Sequence, residues 1–526
     1  MDAISTPKRY DLDDDGVVVI IGSGAGGGTL AHELTRRGVE VVLMEAGKHL
    51  TAEDFVNDEW GGYEMLSWLD KRTASGSWRV AKDHPEAPSW HCQVVGGTTT
   101  HWSGCCYRLI ADEMRARSVY GEIPGTSLID WPITLEELEP YYDLAETKMG
   151  VTGTNGLPPL PPNNNFKVMY WGASRLGFDV STGRHAINSV DYDGRPATIQ
   201  DGFTITGDKT GSRWSTLNVE IPRALATGKL DLRPQSRAVQ VEHDAAGKAS
   251  GVVYVDGNGV RQRQKARAVV LAGNCVESPR LLLHSASGRF PNGLANGWGH
   301  VGRHYLRHVI QTVWSVFDKP VNMHRGEIMT GLVRDFVRHD PARGFAGGYY
   351  VELNSMGLPT TAAFLEPGWW GRDFVSVIEQ YSHMAGMLLS GEDMPQPGNR
   401  VTLTDELDAF GVPVANIHYD DHPNDLRLRS HGYKTMTAIH KAAGAKRIIE
   451  APAYPASHNL GSNRMAARAE DGVLDGNGRA HEMRNLFVAD GSSFATGGAC
   501  NPTLTIVALA IRQADFIAGQ MAKGEL

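Results

Sequence analysis

The N-terminal part of the chain alternates apolar runs with a polar stretch. Apolar runs over residues 17–21 and 39–44 predict two buried strands, and residues 29–37 between them predict a helix. Gly22-Ser23-Gly24-Ala25-Gly26-Gly27 separates the first strand from the helix, and Glu45 ends the second strand. This β-α-β pattern, with an acid close to roughly 20 residues beyond the glycines, is typical of a dinucleotide-binding domain.

Each part of this pattern has a physical task in holding a dinucleotide. Glycines permit a tight turn against a pyrophosphate, the helix N-terminus offers free N–H groups, and the acid accepts hydrogen bonds from the ribose. We therefore assign cofactor binding to Gly22, Gly24, Ala25, Gly27 and Glu45. The alternative is a glycine-rich turn in another kind of α/β protein.

Later apolar runs extend the prediction to an α/β fold with a second, antiparallel sheet. Short runs over 230–233, 238–242 and 251–255 predict a small antiparallel meander. Residues 310–450 are rich in aromatic side chains, and residues 400–404 alternate between polar and apolar, so we expect an antiparallel sheet with covering helices.

The C-terminal residues again show the patterns of the nucleotide-binding part: residues 485–491 predict a strand that ends in an acid, and residues 502–521 predict a helix. We therefore predict a discontinuous, Rossmann-like cofactor domain over residues 1–165, 200–310 and 455–526. We assign residues 310–455, with the loop 165–200, to a substrate-binding domain.

The composition of the chain argues against several classes of partner, cellular location and covalent framework. Its 526 residues carry a net charge of −9, which argues against a nucleic-acid partner. No apolar stretch approaches the roughly 20 residues of a membrane span. The polar N-terminus, ending in Asp13-Asp14-Asp15, is unlike a signal peptide, so we expect a cytoplasmic protein. The five cysteines are an odd number and scattered, which argues against a disulfide framework.

Four further segments resemble the signatures of the glucose–methanol–choline (GMC) oxidoreductases, which are FAD enzymes. They follow one another in the family order, at residues 95–104, 270–280, 458–465 and 490–505. The resemblance implies an FAD cofactor and oxidation of a CH–OH group.

The resemblance also implies which residues do the chemistry. His458 stands at the position of the base that takes the hydroxyl proton, a task that suits a group with a pKa of about 6.5. Asn501 stands at the partner position, where its amide can hold the substrate hydroxyl. The cofactor-binding residues that it adds are Gly97, Thr98, Thr99, His101, Trp102, Ser103, Gly104, Ala272, Asp490, Gly491, Asn501, Pro502 and Thr503.

His101 carries a more specific expectation. In several members of the family, the histidine of this loop is bonded covalently to the 8α-methyl group of the flavin. The sequence Thr100-His101-Trp102 favours the same bond here. The alternative is a histidine that packs against the flavin ring without a bond.

A subgroup of the family is similar over three segments, 118–121, 130–133 and 138–142. It contains the flavin subunits of bacterial gluconate, fructose and glucose dehydrogenases, and residues 100–102 are also similar to pyranose 2-oxidase. The fructose and glucose enzymes carry a Cys-rich segment where residues 197–203 of this chain have no cysteine. Because an iron–sulfur cluster needs about four thiolates, we predict none here and no metal site.

These similarities predict oxidation of a sugar or glycoside hydroxyl, at a pyranose ring position such as C3 or C2, with electrons passing to oxygen or a soluble acceptor. Two alternatives stay open within the same class. One is an anomeric glucose, gluconate or polyol dehydrogenase with a cytochrome partner, and the other oxidises a non-sugar alcohol. A flavin-binding subunit that serves only assembly or electron transfer is a third. Members of the subgroup can also be exported with a small signal-bearing subunit, so a periplasmic location with an accessory subunit remains the alternative to the cytoplasm.

Overall fold

The computed structural model describes residues 8–56, 58–68, 71–77, 89–202, 206–365, 369–453 and 457–526. Its α-helices, in chain order, are α1 Ala25–Arg36, α2 Glu59–Glu64, α3 Ala111–Met114, α4 Ala116–Tyr120, α5 Leu135–Met149, α6 Asn164–Arg175, α7 Ile221–Ala226, α8 Asn274–His284, α9 Leu358–Phe364, α10 Gly371–Ile378, α11 Pro423–Ala443 and α12 Thr503–Ala522. Its strands are β1 Val18–Ile21, β2 Val41–Met44, β3 Ser67–Trp68, β4 Ala74–Gly76, β5 Trp90–His91, β6 Val180–Thr182, β7 Leu230–Arg233, β8 Arg237–His243, β9 Ala249–Val255, β10 Arg261–Lys265, β11 Ala268–Leu271, β12 Val309–Val316, β13 Gly331–Val333, β14 Tyr349–Glu352, β15 Met384–Gly391, β16 Arg400–Leu407, β17 Pro413–Tyr419, β18 Arg447–Ala453 and β19 Leu486–Val488.

A five-stranded parallel sheet has the order β19-β11-β1-β2-β7. β1 lies at its centre, and its first three residues are fully buried, which explains their continuous apolar run. α1 connects β1 to the parallel strand β2 and packs Leu30 and Leu34 in one cluster with Ile20. The predicted β-α-β unit is therefore confirmed.

The predicted meander is wrong in one strand. β7 pairs in parallel with β2, with Val41 opposite Leu230, and so forms the edge of the five-stranded sheet. The antiparallel meander consists of β8, β9 and β10 instead. A short apolar run identifies a strand but not its partner, so the sequence could not distinguish the two pairings.

The predicted antiparallel sheet is a six-stranded one in the order β18-β12-β15-β14-β13-β6. α11 packs closely against one face, because a Cβ atom added to Gly432 of α11 would lie 1.9 Å from Leu389 of β15. Successive side chains of a strand point to opposite faces. Leu388 therefore points away from α11, and so does Glu352, which pairs with it across the sheet.

Residues 400–404 form part of a strand, as their alternation predicts, but not of that sheet. β16 pairs with β17, which in turn pairs in parallel with β4, in a separate three-stranded sheet. The division into the two predicted domains, with boundaries near residues 165, 200, 310 and 455, stays a prediction. Over the described part of the chain, none of the helices has the length and apolar character needed to span a bilayer.

Candidate active site

A cavity of about 360 Å³ lies where the two large sheets approach each other. Its lining includes residues at the carboxyl ends of β1, β2, β11 and β19, where open parallel sheets bind ligands, and residues of β12, β14 and β15. The predicted site residues that line it are Gly22, Gly24, Ala25, Glu45, Gly97, Thr98, Thr99, Trp102, Ser103, Ala272, His458, Asp490, Gly491, Asn501, Pro502 and Thr503.

The glycine turn brings the N-terminus of α1 to the cavity. Gly22 has a φ of +100°, and an added Cβ atom would lie 2.3 Å from the carbonyl oxygen of Ala272. No side chain caps α1, and its first turn has no acidic residue. The free N–H groups and the positive end of the helix dipole are therefore available to an anion in the cavity.

Glu45 ties this turn to the end of β2. Its carboxylate accepts hydrogen bonds from the Ser23 backbone N–H at 3.1 Å, the Ser23 hydroxyl at 2.7 Å and the Gly47 N–H at 2.9 Å. Burial raises the pKa of Glu45, and these hydrogen bonds oppose the rise. The acid thus orders the glycine turn, and its predicted contact with a ribose stays a prediction.

The loop 95–104 packs across the glycine turn. The Gly96 N–H donates to the Ser23 hydroxyl at 2.9 Å, and a Cβ atom added to Gly97 would lie 2.9 Å from the Cα atom of Gly24. The buried guanidinium of Arg213 donates to the carbonyl oxygens of Trp102, at 2.5 Å, and Thr100, at 2.8 Å. These contacts hold the loop as one wall of the cavity.

His101 does not line the cavity, although residues on both sides of it do. Its Nδ1 lies 2.8 Å from the Thr100 hydroxyl, and its ring packs 5.8 Å from that of Phe55, between centroids. Its Nε2 is buried and has no hydrogen-bond partner within the described residues. Burial, assisted by Arg213, lowers the pKa of His101 to about 4, which keeps the imidazole neutral.

Gly27 and Gly104 are the two other predicted residues that do not line the cavity. An added Cβ atom on Gly27 would lie 2.0 Å from the carbonyl oxygen of Gly22, so this glycine lets α1 pack closely against the sheet. Gly104 has a φ of +77° and lies against Ile187. Both glycines shape the backbone around the site.

His458 lines the cavity and contacts a second histidine, His308, which the sequence analysis missed. The two Nδ1 atoms are 3.1 Å apart, and the rings meet edge to face. Nε2 of His308 lies 3.1 Å from the carbonyl oxygen of Gly497, which can only accept a hydrogen bond. A neutral His308 therefore carries its proton on Nε2 and accepts the Nδ1–H of His458. This network leaves Nε2 of His458 as an unprotonated base.

The surroundings keep both rings neutral. Burial, with a smaller contribution from His308, lowers the pKa of His458 to about 3. Burial also lowers the pKa of His308, against an opposing effect of Asp393. The carboxylate of Asp393 accepts hydrogen bonds from the backbone N–H groups of Arg307 and His308, at 2.8 and 3.1 Å. It thereby fixes the segment that presents the His308 ring.

Asn501 lies just before α12 and also lines the cavity. Its side-chain oxygen is buried and lacks a hydrogen-bond partner within the described residues. Burial raises the pKa of the neighbouring Glu352 to about 7, and the Asn501 amide opposes that rise. An unpaired amide oxygen at a cavity wall is available to a donor on a bound ligand.

Asp490 holds the start of α8 in the way that Glu45 holds the start of α1. It accepts hydrogen bonds from the Asn274 N–H at 3.0 Å, the Ser278 hydroxyl at 2.5 Å and the Ser492 N–H at 2.9 Å. Burial raises its pKa, and hydrogen bonds lower it. Its predicted role beside the cofactor therefore includes ordering the backbone there.

The five cysteines are free and buried. Among the residues that the structure describes, no group of three or more His, Cys, Asp or Glu side chains could hold a metal ion.

Comparison with known proteins decides the family. Family models described as GMC oxidoreductase match residues 42–310 and 395–510, and one described as an NAD(P)-binding Rossmann-like domain matches residues 20–63. The chain belongs to the GMC oxidoreductase family.

Relatives of this GMC oxidoreductase align over almost its whole length. A 2-methyl-1,2-propanediol dehydrogenase of Mycolicibacterium austroafricanum is 32% identical, covering 95% of this chain and 94% of its own. A paromamine 6'-oxidase of Streptomyces fradiae is 30% identical, and the alignment covers 97% of this chain and 93% of the relative. A fructose dehydrogenase large subunit of Gluconobacter japonicus is 28% identical, and the alignment covers 96% of this chain and 98% of the relative.

Two solved structures share the fold. Pyridoxine 4-oxidase from Mesorbium loti superimposes with a TM-score of 0.68 at 18% identity, covering 95% of this chain and 99% of its own. A formate oxidase of Aspergillus oryzae gives a TM-score of 0.70 at 15% identity, covering 98% and 100%. The α/β fold class is therefore confirmed.

As a GMC oxidoreductase, the protein is an FAD-dependent enzyme that oxidises CH–OH groups. Its residues fit that cofactor, because the uncapped α1 suits a pyrophosphate and the close approach of Gly24 to Gly97 leaves no room there for side chains. The residues that the sequence analysis missed are His308, Arg213, Glu352 and Asn354. The last two carried a faint signal, since they are polar residues two apart beside the apolar run of β14.

Proposed function

We propose that this enzyme oxidises a secondary hydroxyl of a sugar or glycoside, at a pyranose ring position such as C3 or C2, with His458 as the base and Asn501 as its partner. The observation that carries the proposal is that His458 and Asn501 line the same cavity, where the contacts of His458 with His308 and of His308 with Gly497 favour an unprotonated Nε2 on His458 and the Asn501 side-chain oxygen is unpaired within the described residues. Bound FAD supplies the acceptor for the hydride that leaves the carbinol carbon.

The protein moves the proton. A general base must be neutral before it accepts a proton, and burial keeps His458 neutral at ordinary pH. Nε2 takes the hydroxyl proton, while Nδ1–H keeps its hydrogen bond to neutral His308. The amide of Asn501 positions the hydroxyl oxygen, since an amide can both donate and accept.

The sugar substrate is supported by the names of two relatives, a fructose dehydrogenase and a paromamine oxidase. Electron transfer to oxygen or a soluble acceptor without an iron–sulfur cluster is supported by five scattered, buried cysteines. A cytochrome-linked dehydrogenase with an accessory subunit is the second candidate, because one relative is named a large subunit. The cytoplasmic location stays a prediction from the sequence.

Anaerobic titration of the purified enzyme tests this function. D-glucose or a methyl glucoside should bleach the flavin absorbance. His458→Asn should keep its flavin but reduce it about 100-fold or more slowly, since general base catalysis contributes that much. His440→Asn, a matched change of a buried histidine in α11, should reduce its flavin at the parent rate. Reduction of His458→Asn at the parent rate would contradict the assignment of the base. Bleaching by other alcohols but not by sugars would contradict the sugar substrate.

We further propose that His101 bonds covalently to the 8α-methyl carbon of the flavin. The new N–C bond would replace one methyl C–H bond and the imidazole N–H bond; the two electrons and two protons would pass to the flavin ring, and the electron acceptor of the enzyme would then reoxidise it. The neutral imidazole, with a buried and unpaired Nε2, supports this. The ring must turn from Thr100 towards the cavity to make the bond. Flavin should stay with the protein after acid precipitation and be released entirely from His101→Ala. Complete release from the parent enzyme rules the bond out.

A further inference from the structure

One wall of the cavity carries polar side chains that the described protein groups do not satisfy. Glu352 ends β14 and Asn354 follows two residues later, and they are 1% and 0% exposed. Neither carboxyl oxygen of Glu352 and neither polar atom of the Asn354 side chain has a hydrogen bond of normal geometry within the described residues. Buried polar atoms are nearly always paired, so unpaired ones beside a cavity indicate a ligand.

Glu352 and Asn354 both line the cavity, and the alternation of side chains along β14 explains why Glu352 does so. Val351 belongs to the core cluster beneath α11, and the next side chain, Glu352, therefore points to the other face. Leu388, which pairs with Glu352 across the sheet, and Ile310 of β12 also line the cavity. The polar pair thus stands within an apolar wall.

This wall is rich in acceptors. The acceptors without a hydrogen bond of normal geometry are both oxygens of Glu352, whose carboxyl also interacts with the Asn501 amide, and the amide oxygens of Asn354 and Asn501. The Asn354 amide is the donor of this set that lacks such a bond. Among the described cavity-lining residues of the six-stranded sheet, Glu352 is the one that can carry a charge. Such acceptors bind hydroxyl or ammonium groups.

We propose that Glu352 and Asn354 anchor the substrate through a hydroxyl or ammonium group other than the hydroxyl being oxidised. The proposal rests on the proposed function, because it places the carbinol at His458 and Asn501. It makes the substrate a polyol or an amino polyol, because an alcohol without a second hydroxyl or ammonium group leaves Glu352 and Asn354 without a ligand. Asn501, beside Glu352, joins this anchor to the oxidation site.

Binding can be measured apart from chemistry in the His458→Asn holoenzyme when its flavin is reduced beforehand without oxygen, because a reduced flavin cannot accept a further hydride. The probes are D-glucose, D-glucosamine and cyclohexanol, a ring alcohol without further donors, and calorimetry gives each Kd. Glu352→Leu and Asn354→Leu should weaken sugar binding about tenfold or more, as expected for loss of hydrogen bonds to a charged or polar group. A further variant, Glu352→Gln, has Glu327→Gln as its control, because Glu327 is equally buried but does not line the cavity.

Glu352→Gln identifies the group that binds. If this substitution weakens the binding of glucosamine only, Glu352 contacts the ammonium group. If it weakens the binding of glucose and glucosamine equally, Glu352 contacts a hydroxyl group. The anchor is overturned if the sugars bind but cyclohexanol binds as tightly as they do, or if Glu352→Leu leaves each Kd unchanged. Failure of the proposed function looks different: no sugar would then bind or bleach the flavin of the parent enzyme, or His458→Asn would reduce its flavin at the parent rate.

Discussion

At the scale of the residue, the hydrogen bond between His308 and His458 decides which nitrogen of His458 carries the proton and which can act as the base. An isolated imidazole can carry its proton on either nitrogen. The carbonyl oxygen of Gly497 fixes the proton of His308 on Nε2, and His308 then fixes the proton of His458 on Nδ1. The sequence resemblance points to His458 but not to His308, because the two are 150 residues apart and no local pattern joins them.

Replacing His308 tests this relay. His308→Leu removes the acceptor for Nδ1–H, so the imidazole of His458 can take the wrong tautomer, and we expect flavin reduction to slow about tenfold or more. His308→Asn keeps an acceptor near the position of Nδ1 and should restore most of the rate. In the parent enzyme, the rate of flavin reduction should fall only at a pH far below neutrality, because burial lowers the pKa of His458 to about 3 and protonation removes the base.

Stopped-flow reduction at a series of pH values measures both effects. A structural role alone predicts that both variants lose flavin or stability together, without rescue by asparagine. Equal reduction rates in His308→Leu and the parent enzyme would contradict the relay.

At the scale of the element, the start of α1 depends on how closely it approaches the neighbouring strand ends. A Cβ atom added to Gly26 would lie 1.5 Å from the carbonyl oxygen of Ala489, which directly follows β19. Glu45, at the end of β2, holds the same turn through Ser23. Two strands and one acid therefore fix where the free N–H groups of α1 point.

Gly26→Ala should consequently abolish most FAD binding, because α1 must move away from Ala489 to make room. Gly519→Ala is the matched control: this glycine also lies inside a helix, α12, but an added Cβ atom would meet nothing within 4 Å. The control should keep its FAD and gain up to about 1 kcal/mol of stability from the better helix former. The ratio of flavin to protein after gel filtration measures the result, and full occupancy in Gly26→Ala would contradict this account.

At the scale of the whole molecule, the cavity lies between the two large sheets and is lined by both. Its lining comes from the strand ends of the parallel sheet and from one face of the antiparallel sheet. A cofactor that contacts the folded but not the unfolded chain stabilises the fold by mass action, by about 2.7 kcal/mol at a hundred times its Kd.

Removing FAD should therefore lower the melting temperature by a few degrees. The His101→Ala variant is the suitable protein, because its flavin should be removable without breaking a bond. Calorimetry before stripping, after stripping and after adding FAD back gives the comparison. The same melting temperature in all three samples would contradict a stabilising cofactor.

The sequence by itself determined the dinucleotide-binding unit and the family, and it predicted a set of cofactor-binding residues, most of which line the cavity. Turn glycines, helix starts and acids at strand ends act over short distances along the chain, so their spacing carries their geometry. Gly22 and Glu45 could be recognised for this reason, and the family resemblance implied Asp490; all three line the cavity.

Only the tertiary structure decided how distant strands pair and which side chains they aim at the cavity. β7 joined the parallel sheet although its alternating sequence, Leu230-Asp231-Leu232-Arg233, is typical of an antiparallel hairpin strand. Glu352 faces the cavity because of the register between β14 and β15, and His101 turns away from it towards Thr100 and Phe55. Strand pairing and side-chain direction depend on contacts across the whole chain, which the spacing of residues along it does not encode.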